Sequence, residues 1–203
     1  MYKVIGAPRT RTMRVIWMLE ELGQDYELQP AAPHSDPVTP GNPGGKIPVL
    51  MDGDATLTDS VAICTYLADR HGGCTHPPGT IARARQDAMT QFCVDEVEGA
   101  LWTAAKNSFV NPEEHRCAAI RPVCEFEFAK AMKVLARHVE GSEFIAGDMF
   151  TVPDLILGHC AGWAANAKMA IPEGAASDYL KRMRARPALA RAMARGEEAS
   201  PSK

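Results

Sequence analysis

Apolar residues recur along this chain with two different rhythms, and the rhythm changes near residue 72. Before that point the elements are short. Lys3 to Ile5 is a brief apolar run stopped by Gly6, which predicts a buried strand. Val15, Ile16, Met18, Leu19 and Leu22 leave an apolar stripe on a helix over Met13 to Leu22, and Gly23 stands where a C-terminal cap would. Tyr26 and Leu28 alternate with charged neighbours and predict a second strand. Val49 to Met51 and Ala55 to Thr58 flank Asp52-Gly53-Asp54, a hairpin signal. Ser60 can cap a following helix whose apolar side is Val61, Ile63, Cys64 and Leu67. Between the second strand and the hairpin, Gln29 to Lys46 carries Pro30, Pro33, Pro37, Pro40 and Pro43 with Gly41, Gly44 and Gly45, which excludes a long regular helix. The order β-α-β, an irregular connection, then β-β-α predicts an α/β domain with a small mixed sheet over residues 1–72.

Gly72 to Gly79 reads as a linker, with residues 73–79 outside either domain. From residue 80 to 203 only helical periodicity is visible. Ile81 to about Phe109 and Glu113 to Val139 are long segments, with Pro122 either bending the second or marking a late start. Thr151 to Lys168 and Ala175 to Ala185 follow, and Pro187 can occupy the first turn of a short final helix. Short connections predict an antiparallel, bundle-like all-α domain, and the tail from Gly196 to Lys203 is expected to fray.

Composition narrows the function classes. With 46% apolar residues the chain can bury a substantial core. Its 25 acidic and 22 basic residues are interspersed, and no basic stripe alternates with aromatics, which argues against nucleic acid. No run of 18 apolar residues suggests a membrane span, and the start MYKVIGAP lacks the grammar of a signal peptide. Cys64, Cys74, Cys93, Cys117, Cys124 and Cys160 are scattered in a chain that needs no staples; they read as reduced thiols of a cytoplasmic protein.

One constellation in the first half carries chemistry. Pro48 stands at a strand entry, where it has no N–H to give a ladder. Eleven positions later Asp59-Ser60 falls at a strand-to-helix junction. A helix N-terminus offers free N–H groups and partial positive charge to a carboxylate; Ser60 adds a hydroxyl and Asp59 an opposite charge for an ammonium group. Together they suit one end of a zwitterion. Ser60 can equally be a plain N-cap.

The run Asn42-Pro43-Gly44-Gly45-Lys46-Ile47-Pro48-Val49-Leu50, with Asp52-Gly53, Leu57 and Asp59-Ser60-Val61-Ala62-Ile63, resembles the signature of the cytosolic glutathione transferase family. Gly147-Asp148 and Phe150-Thr151-Val152-Pro153-Asp154 resemble that family's helix-capping region, where Thr151 and Asp154 can form a capping box whose role is folding. Tyr179-Leu180 and Arg186-Pro187 are also similar, so the likeness runs from Val4 to about Leu189. It implies an N-terminal thioredoxin-like domain followed by an all-helical domain, usually as a homodimer. It also implies a cis bond before Pro48, leaving Ile47 to pair with the cysteinyl unit of glutathione as an added strand, while Asp59 and Ser60 hold the γ-glutamyl end. Lys46, and less directly His34, would meet the glycyl carboxylate. A surface lysine and a loop histidine explain these two equally well.

Thiol activation is less plainly written. The resemblance is to a bacterial-type member with a serine/threonine-like active site, because Tyr2 lies too early and no cysteine follows the first strand. Thr10, four residues before Arg14, matches the family's catalytic serine position; Thr12 is the second candidate. Either can instead cap the first helix. Arg11 or Arg9 can stabilise a thiolate electrostatically, and Arg14 is assigned to structure. An electrophile pocket between the domains would draw on Phe92, Trp102, Phe109 and Trp163, all of which core packing could also explain. His71, Cys74 and His76 fit no zinc spacing, so no metal is expected. His159-Cys160 reads as core. The expected activity is detoxifying transfer of glutathione to a small apolar electrophile. A glutathione-dependent peroxidase or dehalogenase, or a non-catalytic glutathione-binding or ligand-carrier module, would use the same site.

Overall fold

The computed structural model describes residues 1–199, and two compact units emerge: Met1–Pro78 with the chain from Ala185 onward, and Gly79–Arg184. The first unit is built on a four-stranded mixed sheet of order β2-β1-β3-β4, from β1 (Tyr2–Ile5), β2 (Tyr26–Gln29), β3 (Val49–Asp52) and β4 (Ala55–Thr58). β1 runs parallel to β2 and antiparallel to β3, with Val4 opposite Leu50 and Ile5 opposite Val49. The β3–β4 hairpin turns at Gly53, whose φ of 58° is the left-handed region a two-residue turn demands.

Both faces of this sheet are covered, which is why β1 and β3 keep apolar residues at consecutive positions. On one face Ile5 and Val49 pack with Val38, Ala31, Ile47 and Met51, so the proline-rich connection closes over the sheet around the fully buried Val38. Packed against the sheet are α1 (Thr12–Glu21), along β1, and α2 (Ser60–His71), along β4, and the two helices touch each other. Val15, Ile16, Trp17, Met18 and Leu19 are all fully buried, because α1 meets neighbours on every side. Burial of one such side chain contributes roughly 1.5–3 kcal/mol. α1 ends as expected, with Gly23 left-handed and the Gln24 N–H returning to the Leu19 carbonyl at 3.0 Å.

The final helix, α8 (Pro187–Ala199), belongs to this first unit and not to the helical domain that begins at residue 80 in the sequence reading. Its Ala188, Leu189 and Ala192 are buried, and it packs on α1 and β2. Two acidic residues at the end of α1 fix it. Arg186 grips Glu21 in a two-bond fork, 2.6 and 2.8 Å, and Arg191 reaches Glu20 at 2.9 Å. Residues 196–199, expected to fray, are helical; Ser200 to Lys203 lie outside the described residues. Gly196 lies close against Pro8, where an added Cβ would stand 2.8 Å from the Pro8 Cβ.

The second unit is helical. A rod runs from α3 (Ile81–Phe92), capped by Thr80, through a wide π-type turn over Cys93–Glu98, α4 (Gly99–Ala105) and a second wide turn over Lys106–Val110. The segment expected as one helix from Glu113 begins late: two short 3₁₀ turns precede α5 (Arg121–Val139), with Pro122 in its first turn, where a missing N–H costs nothing. α6 (Val152–Asn166) lies central and almost wholly buried, and α7 (Ala175–Arg184) packs on α5 and α6. Residues 73–79 hold no helix or strand. Among the described residues no helix is long and apolar enough to cross a membrane.

The capping box of α6 is present and extends further than its motif. Asp154, fully buried, accepts the Thr151 N–H at 2.8 Å, the Thr151 hydroxyl at 2.9 Å, the Ile145 N–H at 2.9 Å and the Tyr179 hydroxyl at 2.6 Å. Burial raises its carboxyl above the ordinary value, while those four donors pull in the other direction. Replacing Asp154 with Ala strands several buried donors at once, so Asp154→Ala is expected to lower unfolding free energy by about 3 kcal/mol in urea titration. Tyr179→Phe, which removes one donor and leaves the acceptor otherwise satisfied, should cost about 1 kcal/mol. Equal losses in the two variants would contradict the hub.

Candidate functional site

The turn from β1 into α1 is built around its hydroxyls. Gly6, at φ 149°, hydrogen-bonds back to Gln29, and an added Cβ there would stand 2.3 Å from Thr12 Oγ1 and 3.1 Å from the Ile47 Cβ. Only glycine lets these three segments close together. Thr10 is half-buried. Its hydroxyl donates to the Ala7 carbonyl at 2.7 Å, accepts the Thr12 N–H at 3.2 Å, and lies 3.1 Å from Thr12 Oγ1. Thr10 therefore serves the start of α1 and still presents a surface to solvent. Thr12 is fully buried behind it, so of the two threonines only Thr10 can touch a ligand. Arg11 is half-buried and Arg9 exposed at the same turn.

The Ile47–Pro48 peptide is cis. The β1–β3 ladder starts only at Val49, so the peptide groups of Ile47 stand outside it. Ahead of Ile47 the chain is held by Asn42, whose side chain donates to the Lys46 carbonyl at 2.9 Å and accepts the Gly44 N–H at 3.1 Å. Lys46 is exposed on this loop. His34, exposed and at φ 62°, donates its N–H to the Gly45 carbonyl at 2.8 Å, and its ring sits where a Cβ on Gly45 would be, 2.0 Å from Nδ1. His34 and Lys46 are thus brought near one another on the connection between β2 and β3, where His34 meets Gly45.

At the start of α2 the cap is Asp59 and not Ser60. Asp59 sits at φ 69° and its Oδ1 accepts the N–H groups of Val61 and Ala62 at 2.9 and 3.1 Å. An aspartate two residues before the first free N–H groups reaches them both and adds charge that suits the positive helix end. Ser60 becomes the first helical residue, buried, and its hydroxyl accepts from the Arg14 guanidinium at 3.3 Å. Arg14 is only 1% exposed, and its own carbonyl accepts the Cys64 thiol at 3.5 Å. Burial pushes that thiol up to about 12, which leaves Cys64 a packing residue with no nucleophilic character. Arg14 is structural, as its place in the apolar stripe suggests, but the partner it finds is a site residue. A lone arginine inside Met13-Arg14-Val15-Ile16 was the available signal; which hydroxyl it would meet was not legible.

In the helical unit, Trp102 and Trp163 come together edge to face at 6.2 Å, and His159 joins them at 6.3 Å from Trp163. All three are half-buried; Cys160 is core, and His159, expected with it, is not. Phe92 instead neighbours His138 at 6.2 Å, and Phe109 is 69% exposed on the second wide turn. The four aromatic candidates therefore do not form one cluster. Tyr2 begins β1 and its hydroxyl pairs with His71 Nε2 at 2.8 Å, away from the turn that holds Thr10.

Residues 6–75 match the family model described as glutathione S-transferase, N-terminal domain, a span that holds every residue of the turn, loop and cap just described. Among curated proteins, glutathione S-transferase 1 of Triticum aestivum is 42% identical over 174 residues, covering 75% of each chain. Glutathione S-transferase 1 of Zea mays is 32% identical over 166 residues, 75% of this chain and 76% of its own. Solved structures share the fold: a glutathione transferase from Phanerochaete chrysosporium in complex with oxidized glutathione superimposes with a TM-score of 0.82 at 23% identity, over 98% of this chain and 97% of that one. A family member from Pseudomonas fluorescens with two glutathione bound gives a TM-score of 0.81 at 22% identity, over 95% and 92%. An N-terminal model that spans the site and relatives this similar over three-quarters of their length place the chain in the glutathione transferase family, as an enzyme of that kind.

Proposed function

We propose that this protein binds glutathione along Ile47, Asp59 and Ser60, holds its sulfur beside Thr10 as the thiolate, and transfers it to a small apolar electrophile. The observation that carries this reading is the Ser60 hydroxyl at the head of α2 with the buried Arg14 guanidinium behind it. A helix N-terminus, a hydroxyl and a cation combine there, which suits a carboxylate. The adjacent Asp59 carries the charge an ammonium group needs. These two groups are the γ-glutamyl end of glutathione. Ile47, outside the ladder, gives the cysteinyl unit an N–H and a C=O to pair with. Lys46 and His34 share the loop on which the glycyl carboxylate would lie.

The free thiol titrates near 8.5, so at neutral pH most of it is protonated. Hydrogen-bond donation from Thr10 and the positive start of α1 favour the thiolate; a drop of about two pKa units corresponds to roughly 2.7 kcal/mol. The thiol proton leaves to water. The sulfur lone pair then forms a bond to the electrophilic carbon, and either a leaving group departs with its electron pair or the adduct takes up a proton. The apolar character of the electrophile is what the family resemblance implies. The setting is a cytoplasmic homodimer with a role in detoxification, in keeping with the family resemblance.

Titration calorimetry with glutathione, followed by turnover against a panel of apolar electrophiles, tests the reading; tight binding without any turnover would overturn transfer. Thr10→Val should lower kcat/KM by about 100-fold with little change in glutathione affinity, and Thr10→Ser should retain most of the rate. Ser60→Ala should instead weaken glutathione binding by about tenfold and leave kcat at saturation nearly unchanged, since the bond is made equally in ground and transition states.

A further inference from the structure

The hydroxyl proposed to meet the thiol rests on a second one that no ligand can reach. Thr12 is fully buried in the first turn of α1. Among the described residues its Oγ1 has one hydrogen-bond neighbour, Thr10 Oγ1 at 3.1 Å. Distance alone does not say which oxygen donates, but burial does. A hydroxyl proton sealed from water needs an acceptor, and Thr10 Oγ1 is the acceptor within reach. Thr12 is therefore the donor.

The partners of Thr10 agree with that direction. A hydroxyl oxygen has two lone pairs and one proton. The lone pairs receive the Thr12 hydroxyl and the Thr12 peptide N–H at 3.2 Å, and the proton goes to the Ala7 carbonyl at 2.7 Å. Ala7 O also accepts the Thr10 peptide N–H at 3.1 Å, so it keeps a partner when the hydroxyl proton turns away. With the opposite direction, the Thr12 proton would be buried with no acceptor. Gly6 makes the arrangement possible, because any side chain there would occupy the space of Thr12 Oγ1.

We infer that Thr12 is a positioning residue for thiol activation, fixing a one-way chain of hydrogen bonds from Thr12 to Thr10 to the glutathione sulfur. Two donations into Thr10 Oγ1, from the Thr12 hydroxyl and N–H, bias that group toward giving its own proton. Thr10 then meets sulfur as a donor, and a donor favours thiolate over thiol. Donation into its oxygen also polarises the Thr10 O–H, strengthening the bond it gives by about 10–30%. No proton moves along the chain, and the thiol proton still leaves to water. The inference rests on Thr10 as the sulfur's partner.

The pH dependence of kcat/KM tests it. Thr12→Val keeps the volume and removes the hydroxyl. It should raise the acidic midpoint of the profile by about half a pKa unit and cut the rate below that midpoint about threefold, with glutathione KM unchanged. Thr12→Ser should restore both. If Thr12→Val does not fold, Thr12→Cys, a weaker donor of similar size, should show the same upward shift, smaller in extent. A folded Thr12→Val or Thr12→Cys with the midpoint of the parent enzyme would overturn the inference. So would a rate loss that Thr12→Ser fails to recover. Thr10→Val separates the two levels: if it leaves the midpoint in place, the assignment of Thr10 itself fails. If it moves the midpoint and Thr12→Val does not, only the role of Thr12 falls.

Discussion

The buried guanidinium of Arg14 ties the beginnings of two helices together, and the site depends on that tie. Arg14 stands two residues after Thr12 on α1 and donates to Ser60 at the head of α2. One end of the contact thus belongs to the helix whose first turn aims Thr10, and the other to the helix whose cap is Asp59. Because α1 is packed on all sides, neither end is free to drift. The sheet and α2 hold one part of its surface, and α8 holds another through the Glu20 and Glu21 ion pairs. α8 also reaches the turn itself, where Gly196 passes against Pro8. A helix that closes the chain therefore braces the loop that opens it.

Binding and activation rest on different interactions within this frame. In the proposed binding mode the γ-glutamyl end of glutathione meets fixed charge: a helix terminus, Asp59, and Arg14 one bond behind Ser60. Each charge-assisted hydrogen bond of this sort is worth about 1.5–3 kcal/mol when desolvated. In the same proposal the thiol meets a neutral hydroxyl, whose effect depends on which way its proton points. In the proposed arrangement that direction is set by Thr12, buried behind Thr10, and by the Ala7 carbonyl. Cys64, whose thiol meets the Arg14 carbonyl, is sealed in the core and raised by burial, so it serves packing.

Much of this was legible in the chain. Short apolar runs, Gly23, the Asp52-Gly53-Asp54 turn and the Thr151/Asp154 spacing each encode a local event, and each produced the expected element. The cis proline followed from the motif around it, not from Ile-Pro alone. What was not legible depended on partners distant in sequence. α8 left the helical domain because Arg186 and Arg191 find Glu21 and Glu20, some 165 and 171 positions earlier. Ser60 lost the cap to Asp59 because Arg14, 46 positions away, claims its hydroxyl. In sequence only its spacing to Arg14 puts Thr10 ahead of Thr12; burial separates the half-buried hydroxyl from the enclosed one. Phe92 and Phe109 were grouped with Trp102 and Trp163 on residue type, and the turn of the rod parts them.

A crystal structure of the protein soaked with glutathione shows directly whether Thr10 is the group beside the sulfur. The sulfur is expected within about 3.2 Å of Thr10 Oγ1, with the Ala7 carbonyl released by the hydroxyl. A sulfur seated instead against Arg9 or Arg11, with Thr10 still bonded to Ala7, would contradict it.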